Sequence, residues 1–276
     1  MIALEPQPQP LLKPKAKRFP MRKWMTLVAG FRCRNGGVLL CSDREEIEGD
    51  FKRPVDKIYR IDGLSQAHVF IAGAGPTAVI AKACEAIHEA MIEASEGGKD
   101  LWSEHRNLIE SALGLVYEKY VIKQTDARIG LVIVFASTGE GRAPLLYKTA
   151  DAMLVSTPLY ASHGAGAAIA DYLSDRLYKH GMPKSSLAVL AAFIFREAED
   201  STVGVGGMDM EFIFDGDRSI QSVGWDEIKE LKDKIIPRLQ DAILGYWQNN
   251  LTLPAKFVGD LDGPTPSTSH NSGDQQ

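Results

Sequence analysis

Thr26, Asp43 and Lys57 are the residues of this chain whose types and order could do chemistry together. Thr26 opens the apolar run Leu27-Val28-Ala29-Gly30-Phe31, an Asn35-Gly36 turn returns the chain to Ser42-Asp43, and Lys57 follows in Val55-Asp56-Lys57-Ile58. A hydroxyl is a weak nucleophile until a base stands beside it. Were Thr26 the first residue of the mature chain, its own α-amine would be that base. An unperturbed α-amine titrates at about 7.7–8.0, close to neutral pH. The chemistry would be hydrolysis, and it requires that the Thr26 amine be free.

The elements that must position these residues are written in turn chemistry and apolar spacing. Residues 27–34 and 37–42 read as a strand pair joined by a type I′ turn at Asn35-Gly36, which needs positive φ at both central positions. Residues 56–61 and 68–72 read as a second pair joined through Asp62-Gly63. Gly73-Ala74-Gly75-Pro76 then ends the strand and opens a helix. Val79, Ala83, Ile87 and Met91 recur at four-residue spacing in a helix over 77–94, and Leu108, Ala112 and Val116 do so over 101–121. The unbroken apolar run at 129–136 reads as a buried strand, with further strands at 145–150 and 152–156. Gly164-Ala165-Gly166 leads into a helix over 167–179, and Pro183 and Ser185 start another that ends near residue 198. Met208, Met210, Phe212 and Phe214 alternate with polar residues in a half-buried strand that pairs with 219–223 through Asp215-Gly216-Asp217. A last helix spans 225–246, kinked by Pro237. Strands and helix pairs in this order predict an α+β fold: a four-layer αββα sandwich of two antiparallel sheets between helical layers.

Taken together, the motifs resemble the proteasome β-subunit family of N-terminal-nucleophile hydrolases, including its bacterial ring-peptidase relatives. The match runs over 26–246. It is carried by Thr26, the stretch from Asn35-Gly36-Gly37 to Ser42-Asp43, Asp56-Lys57-Ile58, Ile71-Ala72-Gly73-Ala74-Gly75, Gly164-Ala165-Gly166 and Gly204-Val205-Gly206-Gly207. The resemblance implies that Thr26 Oγ attacks a peptide carbonyl while its α-amine takes the proton, directly or through a water. Lys57 would then disfavour the protonated amine, and Asp43 would pair with Lys57. The Gly73 N–H would face the site and stabilise the oxyanion. By the same resemblance Glu46 sits near the substrate side-chain pocket and favours basic residues there. It implies no cofactor and no metal, self-assembly into a ring or stacked rings, an unfolded protein or peptide substrate, an ATPase unfoldase as partner, and a cytoplasmic setting. The sequence departs from the family pattern in three places. Met25 stands where a glycine commonly precedes the nucleophile, one extra residue lies between Thr26 and Asp43, and Val205 stands where a serine precedes the late Gly-Gly pair, with Asp200 as the upstream aspartate. If translation starts at Met25, removal of that methionine frees Thr26 without self-cleavage.

Composition narrows the alternatives. The chain has 276 residues, 45% apolar and 24% charged, with a net charge of -5, which speaks against a nucleic-acid binder. No apolar run approaches the roughly 20 residues of a membrane span. Cys33, Cys41 and Cys84 form no metal-ligand pattern, and their odd number suggests a reducing compartment. Residues 1–25 read as a disordered leader, a propeptide or a mis-called start, 26–249 as a single hydrolase domain, and 250–276 as a disordered tail. The apolar stretches 108–116 and 187–195 offer either core or interface faces. Two other readings stay open: a non-catalytic structural subunit of the same fold, and a small-molecule amidase or acylase.

Overall fold

The structure is a computed structural model that describes residues 26–48, 51–123, 128–139, 141–214 and 220–250. The expectations for the leader at 1–25, for the turn at 215–217 and, apart from Asn250 at the end of the last helix, for the tail at 250–276 lie outside the described residues. In chain order the strands β1 (Leu27–Arg32), β2 (Val38–Ser42), β3 (Glu45–Glu48), β4 (Phe51–Pro54), β5 (Ile58–Ile61) and β6 (Ala67–Ala74) come first. Helices α1 (Thr77–Glu96) and α2 (Leu101–Val116) follow, then β7 (Gly130–Ser137), β8 (Leu145–Ala150), β9 (Met153–Ser156) and β10 (Tyr160–Gly164). Helices α3 (Ala167–Leu177) and α4 (Lys184–Ser201), strands β11 (Asp209–Ile213) and β12 (Ile220–Ser222), and helices α5 (Trp225–Glu230) and α6 (Ile236–Asn250) complete the fold.

Two five-stranded antiparallel sheets stack face to face, one in the order β10-β1-β2-β11-β12 and the other β5-β6-β7-β8-β9. Strand alternation sorts their side chains into three buried layers. Val28, Val38 and Leu40 meet Phe70, Val132, Val134 and Leu146 between the sheets. Leu27, Phe31, Leu39 and Phe212 pack outward against Leu187, Ala191 and Phe195 of α4. Ile71, Ile133 and Phe135 pack on the opposite side against Ile87, Met91, Ile109 and Leu113 of α1 and α2. This is the four-layer αββα sandwich, and β7, every residue of which is buried, lies at its centre. The stretches at 108–116 and 187–195 are therefore largely core, with Leu115 as an exposed exception at 69%. No helix among the described residues is long and apolar enough to cross a membrane.

Several local expectations need correction. The turn at Asn35-Gly36 is not type I′. The chain makes a 3₁₀ turn over Arg34–Gly36 in which Gly36 alone has positive φ, and the Cys33 N–H closes the loop onto the Gly37 carbonyl at 2.8 Å. Strand β6 does not end before Gly73; it continues through Ala74, and the break falls at Gly75, where φ is +131°. Pro76 caps α1 rather than entering it. The last helix is interrupted by a π-helical turn over Leu231–Ile235, where the Ile236 N–H bonds back to the Leu231 carbonyl just ahead of Pro237, which has no N–H to give. Two elements carried no sequence signal. The β3–β4 hairpin is built largely of charged residues, and β10, Tyr-Ala-Ser-His-Gly, lacks the apolar alternation that marks a strand.

Candidate active site

The β1–β2 register places Val28 opposite Ser42, so the two ends of the hairpin bring Thr26 and Asp43 side by side. The Asp43 N–H donates to the Leu27 carbonyl at 2.9 Å, and the Leu27 N–H returns a bond to Asp43 Oδ1 at 2.9 Å. Lys57 comes from the other sheet, one residue ahead of β5. Its ammonium donates to Thr26 Oγ1 at 3.2 Å, to both Asp43 oxygens at 3.0 and 2.9 Å, and to the Glu45 carbonyl at 2.6 Å. The structure thus joins the three residues first singled out in the sequence at one end of the sandwich, between its sheets. Thr26 and Lys57 are each 7% exposed and Asp43 is fully buried.

Burial sets the electrostatics. It pushes the Asp43 carboxyl up to about 6, against the opposing pull of the Lys57 ammonium and of the Leu27 and Glu45 N–H groups. At neutral pH Asp43 is mostly ionised and fixes the ammonium. A cation held against a threonine oxygen stabilises negative charge that develops there.

Gly73 lies on β6, beside Lys57. Its N–H, expected to open onto the site, donates to the Lys57 carbonyl at 3.3 Å. The residue is glycine because α1 crosses directly over it: a Cβ would stand 2.5 Å from Ile80 Cγ2. On the other flank the Gly164-Ala165-Gly166 turn cradles the Thr26 backbone. Gly164 has φ +105°, and a Cβ there would fall 2.0 Å from the Thr26 carbonyl oxygen. The glycines were legible as a helix-opening turn, but their contact with Thr26 depended on β10, which was not. Val205 is 3% exposed and belongs to the core, and Asp200 pairs with Arg196 at 3.1 Å on the surface of α4. Neither supplies a polar group to Thr26.

A cleft of about 380 Å³ lies beside the β3–β4 hairpin, lined by Arg44, Glu45, Lys52, Arg53, Pro54, Gly206, Gly207 and Trp225. A second, of about 260 Å³, is lined by Asp56, Ile58, Asp209, Met210, Glu211, Ser222 and Val223. Arg44 bridges the two, pairing with Asp56 at 2.8 Å and Asp209 at 3.4 Å. Among the described residues no group of three or more His, Cys, Asp and Glu side chains could hold a metal ion.

No family model matches this sequence, and no curated protein does. Solved structures do share its fold. It is similar to Anbu (ancestral beta-subunit) from Yersinia bercovieri, at 13% identity and a TM-score of 0.67, over 83% of this chain and 99% of that one. Anbu from Hyphomicrobium sp. strain MC1 gives 15% identity and a TM-score of 0.64 over 83% and 99%. The helical assembly of the Anbu complex from Pseudomonas aeruginosa gives 13% and 0.65 over 84% and 100%. These findings correct the resemblance read from the sequence. These three structures are Anbu proteins, a family related to the proteasome β-subunits but distinct from them. At 13–15% identity the likeness shows the proteasome-like fold.

Proposed function

We propose that this protein is a threonine hydrolase that cleaves peptide bonds, with Thr26 as nucleophile once its α-amine is free. The observation that carries the reading is Lys57 Nζ, shared between Thr26 Oγ1 at 3.2 Å and the Asp43 carboxylate at 2.9 Å in a buried setting. In this mechanism the Thr26 hydroxyl attacks the carbonyl carbon and passes its proton to the α-amine. Lys57 favours the neutral, basic form of that amine and stabilises charge on the attacking oxygen. Asp43 keeps Lys57 in place. The Gly73 N–H serves the oxyanion after giving up its long bond to the Lys57 carbonyl. The protonated amine then returns its proton to the leaving nitrogen, and water releases the acyl group from Thr26.

We further propose that copies of the chain assemble so that the site is enclosed. The assembly of the Pseudomonas aeruginosa Anbu complex, which is helical, supports self-association as the model, whether as the ring expected from sequence or as an open helix. Unfolded protein or peptide would then be the substrate, and folded substrates would require an ATP-driven unfoldase. Three free, buried cysteines fit a reducing, cytoplasmic setting.

The test is hydrolysis of fluorogenic peptides by a chain whose first residue is Thr26, compared with the same chain carrying Thr26→Ala. The reading predicts turnover by the first and none by the second, with both folded alike. Equal turnover by the two chains would sink the mechanism.

A further inference from the structure

We propose that Glu46 is a positioning residue: it clamps the β3–β4 hairpin to the first turn of α1, and so fixes the Glu45 carbonyl that holds Lys57 against Thr26. This inference rests on the hydrolase reading above and assigns part of its machinery to a residue outside the reacting atoms.

Three observations carry it. First, Asp43 lies two residues before the hairpin and Lys57 three residues after it, so its base lies between them in the chain. The Glu45 N–H donates to Asp43 Oδ2 at 3.2 Å, and the Glu45 carbonyl accepts from Lys57 Nζ at 2.6 Å. An ammonium has three protons, and here they serve three groups: Thr26 Oγ1, the Asp43 carboxylate and the Glu45 carbonyl. Remove the third acceptor, and only the long bond to Thr26 Oγ1 opposes the pull of the Asp43 carboxylate on the ammonium.

Second, a two-stranded hairpin is marginal by itself and needs an anchor. Glu46 supplies one. It sits opposite Arg53 in the β3–β4 register and accepts from Arg53 Nε and a terminal guanidinium nitrogen, both at 2.7 Å on Oε2. Its other oxygen, Oε1, accepts from the Thr77 hydroxyl. With both oxygens engaged and its charge answered by Arg53, Glu46 is poorly placed to recruit basic substrate side chains, which was its expected role.

Third, the far end of the clamp is part of the same site. Thr77 is the first residue of α1, four positions after Gly73 on the continuous stretch from β6. Pro76 offers no side-chain cap to the exposed N–H groups of α1, so a carboxylate is favourable there. Glu46 therefore links the segment bearing Lys57's carbonyl partner to the segment bearing the Gly73 N–H.

The experiment uses the full chain with Thr26 as its first residue and compares Glu46→Ala, Thr77→Ala and Thr77→Ser. Thr77→Ser keeps the hydroxyl and acts as the conservative rescue. The proposal predicts that Glu46→Ala and Thr77→Ala lower kcat by about 10- to 100-fold with KM within about 2-fold, because a site misplaced by about 1 Å loses on that order. Thr77→Ser should keep the wild-type kcat. A rise in KM at constant kcat would overturn the proposal and return Glu46 to substrate selection; wild-type kinetics in Glu46→Ala would overturn it outright. The NMR chemical shift of the Lys57 side-chain ammonium at one fixed pH serves as a readout independent of turnover, because it reports the acceptors that surround Nζ. It should move in Glu46→Ala and Thr77→Ala and stay in Thr77→Ser, and an unmoved shift in all three refutes the clamp. Absence of turnover in the unmutated chain would count against the hydrolase reading alone and leave the Lys57 chemical shift to decide the clamp.

Discussion

Lys57 and Asp43 are a buried ion pair, and such pairs respond sharply when one partner is removed. Lys57→Met leaves an uncompensated carboxylate, and we expect a loss of about 3–5 kcal/mol in unfolding free energy, read by denaturant titration. Adding Asp43→Asn should recover part of that loss while leaving peptide hydrolysis abolished; recovery of hydrolysis would remove Lys57 from the site. The pH dependence follows from Asp43. Its carboxyl, pushed up to about 6 by burial, takes a proton as pH falls through that value, which frees Lys57. The rate should therefore drop as pH falls through about 6, and a rate constant across that range would contradict the role given to Asp43. The stability term runs the other way. Because the folded pKa exceeds the unfolded 3.8, this group's contribution is fullest below about 3.8 and is lost as pH rises through about 6. At this scale the sequence was informative. Thr26, Asp43 and Lys57 were legible because one hairpin and one following lysine bring them together. The engagement of Glu46 by Thr77 and Arg53 was not, because it depends on a hairpin with no apolar pattern to betray it.

At the scale of elements, the two sheets and their helices follow from apolar periodicity. Val79, Ala83, Ile87 and Met91 are all buried on one face of α1, as their spacing requires. β10 escaped notice because its residues give no alternation; its strand state is imposed by pairing with β1, where Leu27 meets Gly164. That pairing makes Gly164 a sensitive position. Gly164→Ala should displace Thr26 and lower the hydrolysis rate by about 100-fold while the core still folds, since its Cβ would overlap the Thr26 carbonyl oxygen. An unchanged rate would mean that the Gly164 turn does not position the nucleophile. The packing of α2 on the second sheet makes a different prediction. His105 stacks on Phe135 with ring centroids 4.2 Å apart and bonds the Tyr147 hydroxyl at 2.8 Å, and burial lowers its pKa below 6.5. The unfolded chain takes up that proton first, so this group's stability contribution is present above about 6.5 and lost as pH falls below it. His105→Gln should therefore flatten the fall in melting temperature between about pH 7.5 and 5.5; an identical slope in the variant would contradict it.

At the scale of the whole molecule, the proteasome-like fold is established by the structure and by its similarity to the Anbu proteins, while the chemistry rests on Thr26. Everything proposed for the site requires that the nitrogen of Thr26 be an amine and not a peptide. The most direct measurement is the intact mass and N-terminal sequence of the protein purified from its native cells. The account predicts a chain that begins at Thr26. A chain that retains Met25, or anything before it, would leave the threonine nitrogen acylated and without basicity, and would contradict the proposed mechanism.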